Sequence, residues 1–221
     1  MGTLVDLSHA IENGMPVYPA LPAPKIGAYL DHAGSRDRYQ GKAEFYLSSV
    51  EMSGNTGTYL DSPFHRYPDR ADLSRLPLEA LAGLPGLVAD APAQPGPVDL
   101  ALPAGAFRGC AVLVRTGWDR RWRTADYWQP GPFLSPAALD LLIAGGAALV
   151  GVDYWNIDDT ADLARPAHTR LLAAGILIVE NLANLAALPG AGFRFYAVPP
   201  RIVSGASFPV RAFAEITGAT G

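Results

Sequence analysis

Charge is scarce in this sequence. Asp, Glu, Lys and Arg make up 17% of its 221 residues and hydrophobic residues 49%, where an average soluble domain carries about 25% charged residues. That balance excludes a disordered chain, which needs low hydrophobicity and high net charge. Basic clusters are scarce as well. The net charge is −4 and the arginines are scattered apart from Arg115 to Arg123, so no nucleic-acid partner is expected. Cys110 is the single cysteine, which excludes an internal disulfide and fits a reducing compartment. It opens the run CAVLVRTG and reads as a small buried apolar residue. No apolar run approaches the roughly 20 residues of a membrane span. The start, MGTLVDLSHA, lacks both a basic-then-apolar leader pattern and the Ser or Thr that myristoylation needs at position 6, which is Asp6. A cytoplasmic protein with no membrane partner is expected.

What is abundant is punctuation: 23 glycines and 20 prolines predict many turns and short elements. The clearest helix begins at Ser135 as N-cap, with Pro136 in the first turn, Leu139, Leu142 and Ile143 along one face, and Gly145 and Gly146 at its end. A second helix is expected over Leu73 to Leu81, with Pro77 in its first turn and Gly83 as stop, and one or two helical turns over His168 to Ala174. Strands are predicted at Thr3–Leu7, Ala43–Met52, Leu87–Ala89, Ala111–Arg115, Ala148–Asp153, Ile176–Glu180, Phe193–Val198 and Val210–Ile216. Strands mixed with few helices, without strict alternation, point to a mixed α/β layer fold, in one domain spanning residues 1–221.

Polar side chains concentrate in Gly54 to His65, GNTGTYLDSPFH, a stretch that reads as a turn after a strand. There are four histidines in all, and a lone histidine is more often structural than a ligand, so each needs company. Pro63 between Asp61 and His65 fixes a bend that turns both side chains toward one point. His168 and Glu180 are joined by a helix–turn–strand element that brings both to one sheet edge. Asp, His and Glu together make an N/O donor set suited to Zn²⁺ or Mn²⁺. Ahead of them the apolar loop Asn13 to Pro24 must cover something, and Tyr18 either packs there or lines a pocket.

Asn55 to His65, NTGTYLDSPFH, aligns without a gap to the motif HxGTHxDxPxH of the cyclase family of metal-dependent hydrolases, which includes the bacterial kynurenine formamidases, and the chain resembles that family. The resemblance extends through VDLSHAIENGMPVYP, VLVRTGWDRRW, LSPAALDLLIAGGAALVGVD, HTRLLAAGILIVENLANL and FYAVPPRIVSGASFPVRAFAEI, essentially end to end. It implies a swivelling β/β/α architecture, a homodimer or homotetramer, and metal-dependent hydrolysis of an amide or ester. It also implies Asp61, His168 and Glu180 as metal ligands, His65 in acid/base work, and Tyr18 as an aromatic substrate contact.

The motif's two leading histidines are replaced by Asn55 and Tyr59, and neither an amide nor a phenol substitutes well for imidazole at neutral pH. One of the family's two metal positions thus loses both imidazoles. The remaining set implies one divalent ion, Zn²⁺ or Mn²⁺, and a reaction other than strict kynurenine formamidase activity. The substrate expected is a small cyclic or aromatic amide, lactone or ester. Asn55 and Tyr59 are then free to hydrogen-bond it, with Tyr59 and His65 as the catalytic pair. Two further readings stay open. Tyr59 and His65 can perform metal-free acid/base chemistry, or Tyr18, Trp155 and Tyr59 can bind an aromatic ligand without turnover.

Overall fold

Three short apolar runs, AVLVR, LVGV and LIVE, lie side by side at the centre of a nine-stranded sheet. Strands this uniformly apolar are those covered on both faces. The computed structural model describes residues 2–103, 105 and 107–216. In chain order its strands are β1 (Thr3–Asp6), β2 (Lys25–Leu30), β3 (Leu47–Glu51), β4 (Tyr59–Asp61), β5 (Ala82–Asp90), β6 (Gly96–Val98), β7 (Ala111–Arg115), β8 (Pro132–Leu134), β9 (Leu149–Val152), β10 (Leu177–Glu180), β11 (Ala191–Tyr196), β12 (Ser207–Pro209) and β13 (Phe213–Ile216). The helices are α1 (His32–Arg38), α2 (Pro136–Gly145) and α3 (Pro166–Ala173).

The large sheet runs β1-β13-β11-β5-β7-β9-β10-β4-β12. Its middle, β5 to β10, is parallel, and antiparallel strands extend it on both sides. Alternate residues face opposite sides. Val112, Val150 and Ile178 pack with Leu139, Leu142, Leu171 and Leu172 on the side covered by α2 and α3. Leu113, Leu149 and Val179 face a second core, where the curled sheet closes on Leu7, Leu60, Phe193 and Phe195. This is the mixed α/β architecture expected.

The helix at Ser135 forms as predicted. Ser135 Oγ accepts from the Ala138 amide at 3.0 Å, Pro136 opens α2, and Gly146 ends it at φ +69°. Leu73 to Leu81 forms no helix; instead two short 3-10 turns, Leu73–Arg75 and Leu78–Ala80, flank Leu76 and Pro77, whose extended backbone breaks the run. Gly83, expected as a helix stop, lies in β5 at φ +71°. Within Ala43 to Met52 only Leu47–Glu51 is strand, and it pairs with β2 in a separate ribbon whose Tyr29, Leu47 and Val50 are exposed, as are Phe45 and Tyr46 just before it. Cys110 is half-buried just before β7 rather than within the core. Among the described residues no helix is long and apolar enough to cross a membrane.

Close approach, not torsion, explains Gly54. A Cβ there would lie 2.3 Å from the Ser207 carbonyl oxygen, whereas one at Gly27 in β2 meets nothing within 4 Å. Gly54→Ala must push β12 away from the 53–58 loop, so it is expected to destabilise by about 1–3 kcal/mol, the usual range for overpacking. Gly27→Ala is expected to be neutral or slightly stabilising. Urea unfolding of both variants checks the contrast; equal midpoints would contradict it.

Candidate functional site

Tyr59 to Asp61, read from sequence as part of a turn, is a fully buried strand. Its register places the site. Glu180 pairs with Tyr59, Ile178 with Asp61, and Ser207 with Asp61 from the other side. Because Leu60 and Val179 face the second core, the pleat sends Tyr59, Asp61, Glu180 and Ser207 to the helix-covered side. There α3 delivers His168 from its first turn. His168 Nε2 lies 3.7 Å from Asp61 Oδ2 and 3.7 Å from Glu180 Oε1, and one ligand atom from each residue falls within 4.8 Å of the others.

The preceding loop is pinned rather than loose. Thr58 Oγ1 donates to the Asn181 carbonyl at 2.5 Å and accepts from the His9 amide at 3.0 Å, and Asn181 Nδ2 donates to the Gly57 carbonyl at 2.8 Å. Gly57 adopts φ +64°, and a Cβ there would sit 2.9 Å from Ile11 Cγ1. These bonds tie the residue after Glu180 to the segment before Tyr59, so both strands meet in fixed register.

Each site residue has a defined partner. Glu180 accepts from the Ile157 amide at 2.6 Å through Oε1 and from the Tyr59 hydroxyl through Oε2. Ser207 Oγ donates to Asp61 Oδ1 at 2.5 Å, and His65 Nδ1 lies 3.2 Å from the same Oγ. A serine has one proton and the carboxylate none, so Ser207 must accept from His65 Nδ1–H. His168 Nδ1 binds Asp158 Oδ2 at 2.6 Å, and the Ala167 and His168 amides also donate to that carboxylate. Asp61 Oδ2 is buried with no hydrogen-bond partner.

Burial raises Glu180 to about 7, the His168 charge opposing and the Asp61 charge adding to that shift. Burial would lower His168, but the hydrogen bond to Asp158 and the nearby Asp61 and Glu180 charges outweigh it and hold the imidazolium up to about 10. Asp61 is the reverse case: burial pushes it up, and the contacts with His168, His65 and Ser207 bring it below its ordinary value. Burial, with the Glu180 and Asp61 charges, drives Tyr59 well above the usual phenol range, so it stays a neutral donor.

These donors fit a divalent cation. Bonds of about 2.1 Å in a tetrahedral site put ligand atoms about 3.4 Å apart, close to the two 3.7 Å separations. Two fully buried carboxylates and an orphaned Asp61 Oδ2 need positive charge nearby. The Asp158 bond fixes the proton on His168 Nδ1 and presents Nε2 inward, the arrangement typical of a ligating histidine.

A cavity of about 300 Å³ opens over this cluster, lined by Tyr18, Leu21, Asn55, Tyr59, His65 and Arg66 among others. Tyr18, Asn55, Tyr59, His65, His168 and Glu180 all reach it, and Asp61 lies beneath. Trp155 does not. Its indole N–H donates to the Gln129 carbonyl at 3.0 Å, and its ring stands 5.6 Å behind that of Tyr18, so it backs the pocket wall rather than lining it. Ser207 and Asp158 are the functional partners that sequence reasoning missed. The remaining histidines lie apart: His9 stacks on Trp122 at 4.0 Å, and His32, the first residue of α1, sits by the exposed Tyr46.

A mixed α/β sheet thus presents an imidazole–dicarboxylate triad to an open cavity. The chain belongs to the Cyclase family, whose model matches residues 5–159. It is 30% identical over 219 residues to a kynurenine formamidase of Salinibacter ruber, covering 95% of each chain. Among solved structures, isatin hydrolase A from Labrenzia aggregata bound to benzyl benzoate matches with a TM-score of 0.80 and 25% identity, over 97% of this chain and 94% of that one. A structure described as a potential metal-dependent hydrolase with cyclase activity shares the fold at a TM-score of 0.77 and 24% identity, over 98% of this chain and 99% of that one.

Proposed function

We propose that the chain hydrolyses a small cyclic or aromatic amide, lactone or ester, with a single divalent ion, Zn²⁺ or Mn²⁺, held by Asp61, His168 and Glu180. The observation that carries this is the convergence of three buried donor atoms on a point where Asp61 Oδ2 has no other partner. The chemistry such an ion supplies is polarisation of the scissile carbonyl and acidification of a coordinated water. Asn55 and Tyr59 stand where the family motif has histidines, and the Tyr59 hydroxyl is spent on Glu180, which supports one ion rather than two.

The chain's own residues do the rest. His65, oriented by the Ser207 contact at Nδ1 with Nε2 on the opposite side of its ring, takes the proton of the attacking water and returns it to the leaving nitrogen or oxygen. Tyr59 orients Glu180 and, with Asn55, borders the space for the substrate oxygen. Tyr18 and Leu21 supply apolar contact for the ring. The phenol's raised pKa and its bond to Glu180 make Tyr59 a poor acid, which favours the hydrolytic reading over metal-free proton transfer.

A panel of small aromatic amides, lactones and esters tests this with Zn²⁺ or Mn²⁺ supplied. Turnover is expected to be abolished by chelator. His65→Ala is expected to lower kcat by about 10²–10⁴-fold, the usual worth of a positioned acid/base, with metal content unchanged. Turnover indifferent to both would sink the proposal.

A further inference from the structure

Beside the triad, two arginines line the same cavity, and they have no role in the hydrolytic chemistry. Arg66 follows His65; its Nε donates to Thr169 Oγ1 at 3.0 Å and its Nη2 to the Ala164 carbonyl at 3.3 Å. Arg165 directly precedes α3 and donates from Nη1 to Asn156 Oδ1 at 3.2 Å. Every one of these acceptors is neutral. Among the described residues neither arginine lies within 4.0 Å of a carboxylate, as six of the chain's other arginines do.

Arg165 also holds φ +48° and ψ 60°, a left-handed conformation that is strained for a non-glycine residue. Strain of this kind collects at ligand sites. The charges point the same way. Guanidinium groups stay protonated at any working pH. If Asp61 and Glu180 balance a divalent ion, the two arginines outnumber the one remaining carboxylate of the site, Asp158, and leave net positive charge at the cavity in a chain whose net charge is −4.

We propose that Arg66 and Arg165, with Asn156, form a subsite for a carboxylate carried by the substrate away from the scissile carbonyl. The substrate class is then an amide, lactone or ester of an aromatic or cyclic acid that keeps a free carboxylate. Planar guanidinium forks suit that group, because they donate paired, charge-assisted hydrogen bonds. The cavity volume of about 300 Å³ limits the ligand to roughly one ring with its substituents. The substrate assignment rests on the hydrolytic reading; the anion subsite itself does not.

Calorimetric titration of the purified protein with benzoate and with its neutral analogue benzamide separates the two. Wild type is expected to bind benzoate about tenfold or more tightly than benzamide, and Arg66→Met and Arg165→Met are each expected to remove about tenfold of benzoate affinity. Benzamide affinity should stay within about twofold. Arg66 is exposed, so its variant keeps the test valid even if Arg165→Met folds poorly. Equal affinities in wild type, no binding of either compound, or a benzoate preference that survives Arg66→Met would overturn the subsite. A preference that follows the arginines without any hydrolysis would refute the hydrolase reading and leave the subsite standing. Hydrolysis of neutral amides without that preference would do the reverse.

Discussion

Asp61→Asn is expected to take bound metal from about one ion per chain to less than a tenth of that, and kcat/KM down by about 10³-fold or more. Asparagine keeps the volume and can still accept from Ser207 Oγ, so the strand register around residue 61 is preserved. What it removes is the negative charge and the second carboxylate oxygen. Asp61 Oδ2 is the buried oxygen with no other partner, 3.7 Å from His168 Nε2. Metal analysis, circular dichroism and turnover on the same preparation check the expectation. A folded variant that retains metal or activity would contradict it.

His168→Ala should fail differently, by losing stability. In metal-free protein His168 lies between Asp61, Asp158 and Glu180, and its imidazolium is the nearest positive charge to these three buried carboxyls. Removing one partner of a buried ionic cluster costs about 3–5 kcal/mol, far more than the methylene packing of one histidine. The pH dependence has a definite sign. His168 rises from an ordinary 6.5 to about 10 in the folded chain, so its contribution is fully present below 6.5 and is lost as pH climbs through 10. The gap between chelated wild type and chelated His168→Ala is therefore expected to be widest near pH 6 and to narrow toward pH 10. Zn²⁺ should raise the melting temperature of the wild type only. Denaturant unfolding across pH with chelator present reads both effects; a constant gap would contradict the assignment of His168 as the compensating charge.

The residues that define the site were legible where local chemistry dominates. The apolar runs ending at Asp153 and Glu180 announce buried strands, and the Ser135–Pro136 start and Gly146 end of α2 follow from capping alone. Asp61, His168 and Glu180 came from donor chemistry and from alignment to a motif, and the fold brings all three together. What stayed hidden depends on long-range pairing. Ser207 sits 146 positions from Asp61 in sequence, on a three-residue strand that ends in Pro209 and has no readable period. Asp158 lies in a loop where an acidic residue looks like ordinary surface, and only the folded contact shows it gripping His168. Trp155, expected to contact an aromatic ligand, stands behind Tyr18 with its N–H given to the Gln129 carbonyl. The stretch from Leu73 to Leu81 has helical composition, but Pro77 has an extended backbone just before the second of two short 3-10 turns instead of lying within a first helical turn.

The central claim is that one divalent ion sits among Asp61, His168 and Glu180. Crystals soaked with Zn²⁺ or Mn²⁺ and measured at the metal's absorption edge test it most directly. A single anomalous peak per chain, within bonding distance of Asp61 Oδ2, His168 Nε2 and a Glu180 carboxylate oxygen, is the predicted result. No peak at that position, or a second peak of equal height beside Asn55 and Tyr59, would contradict it.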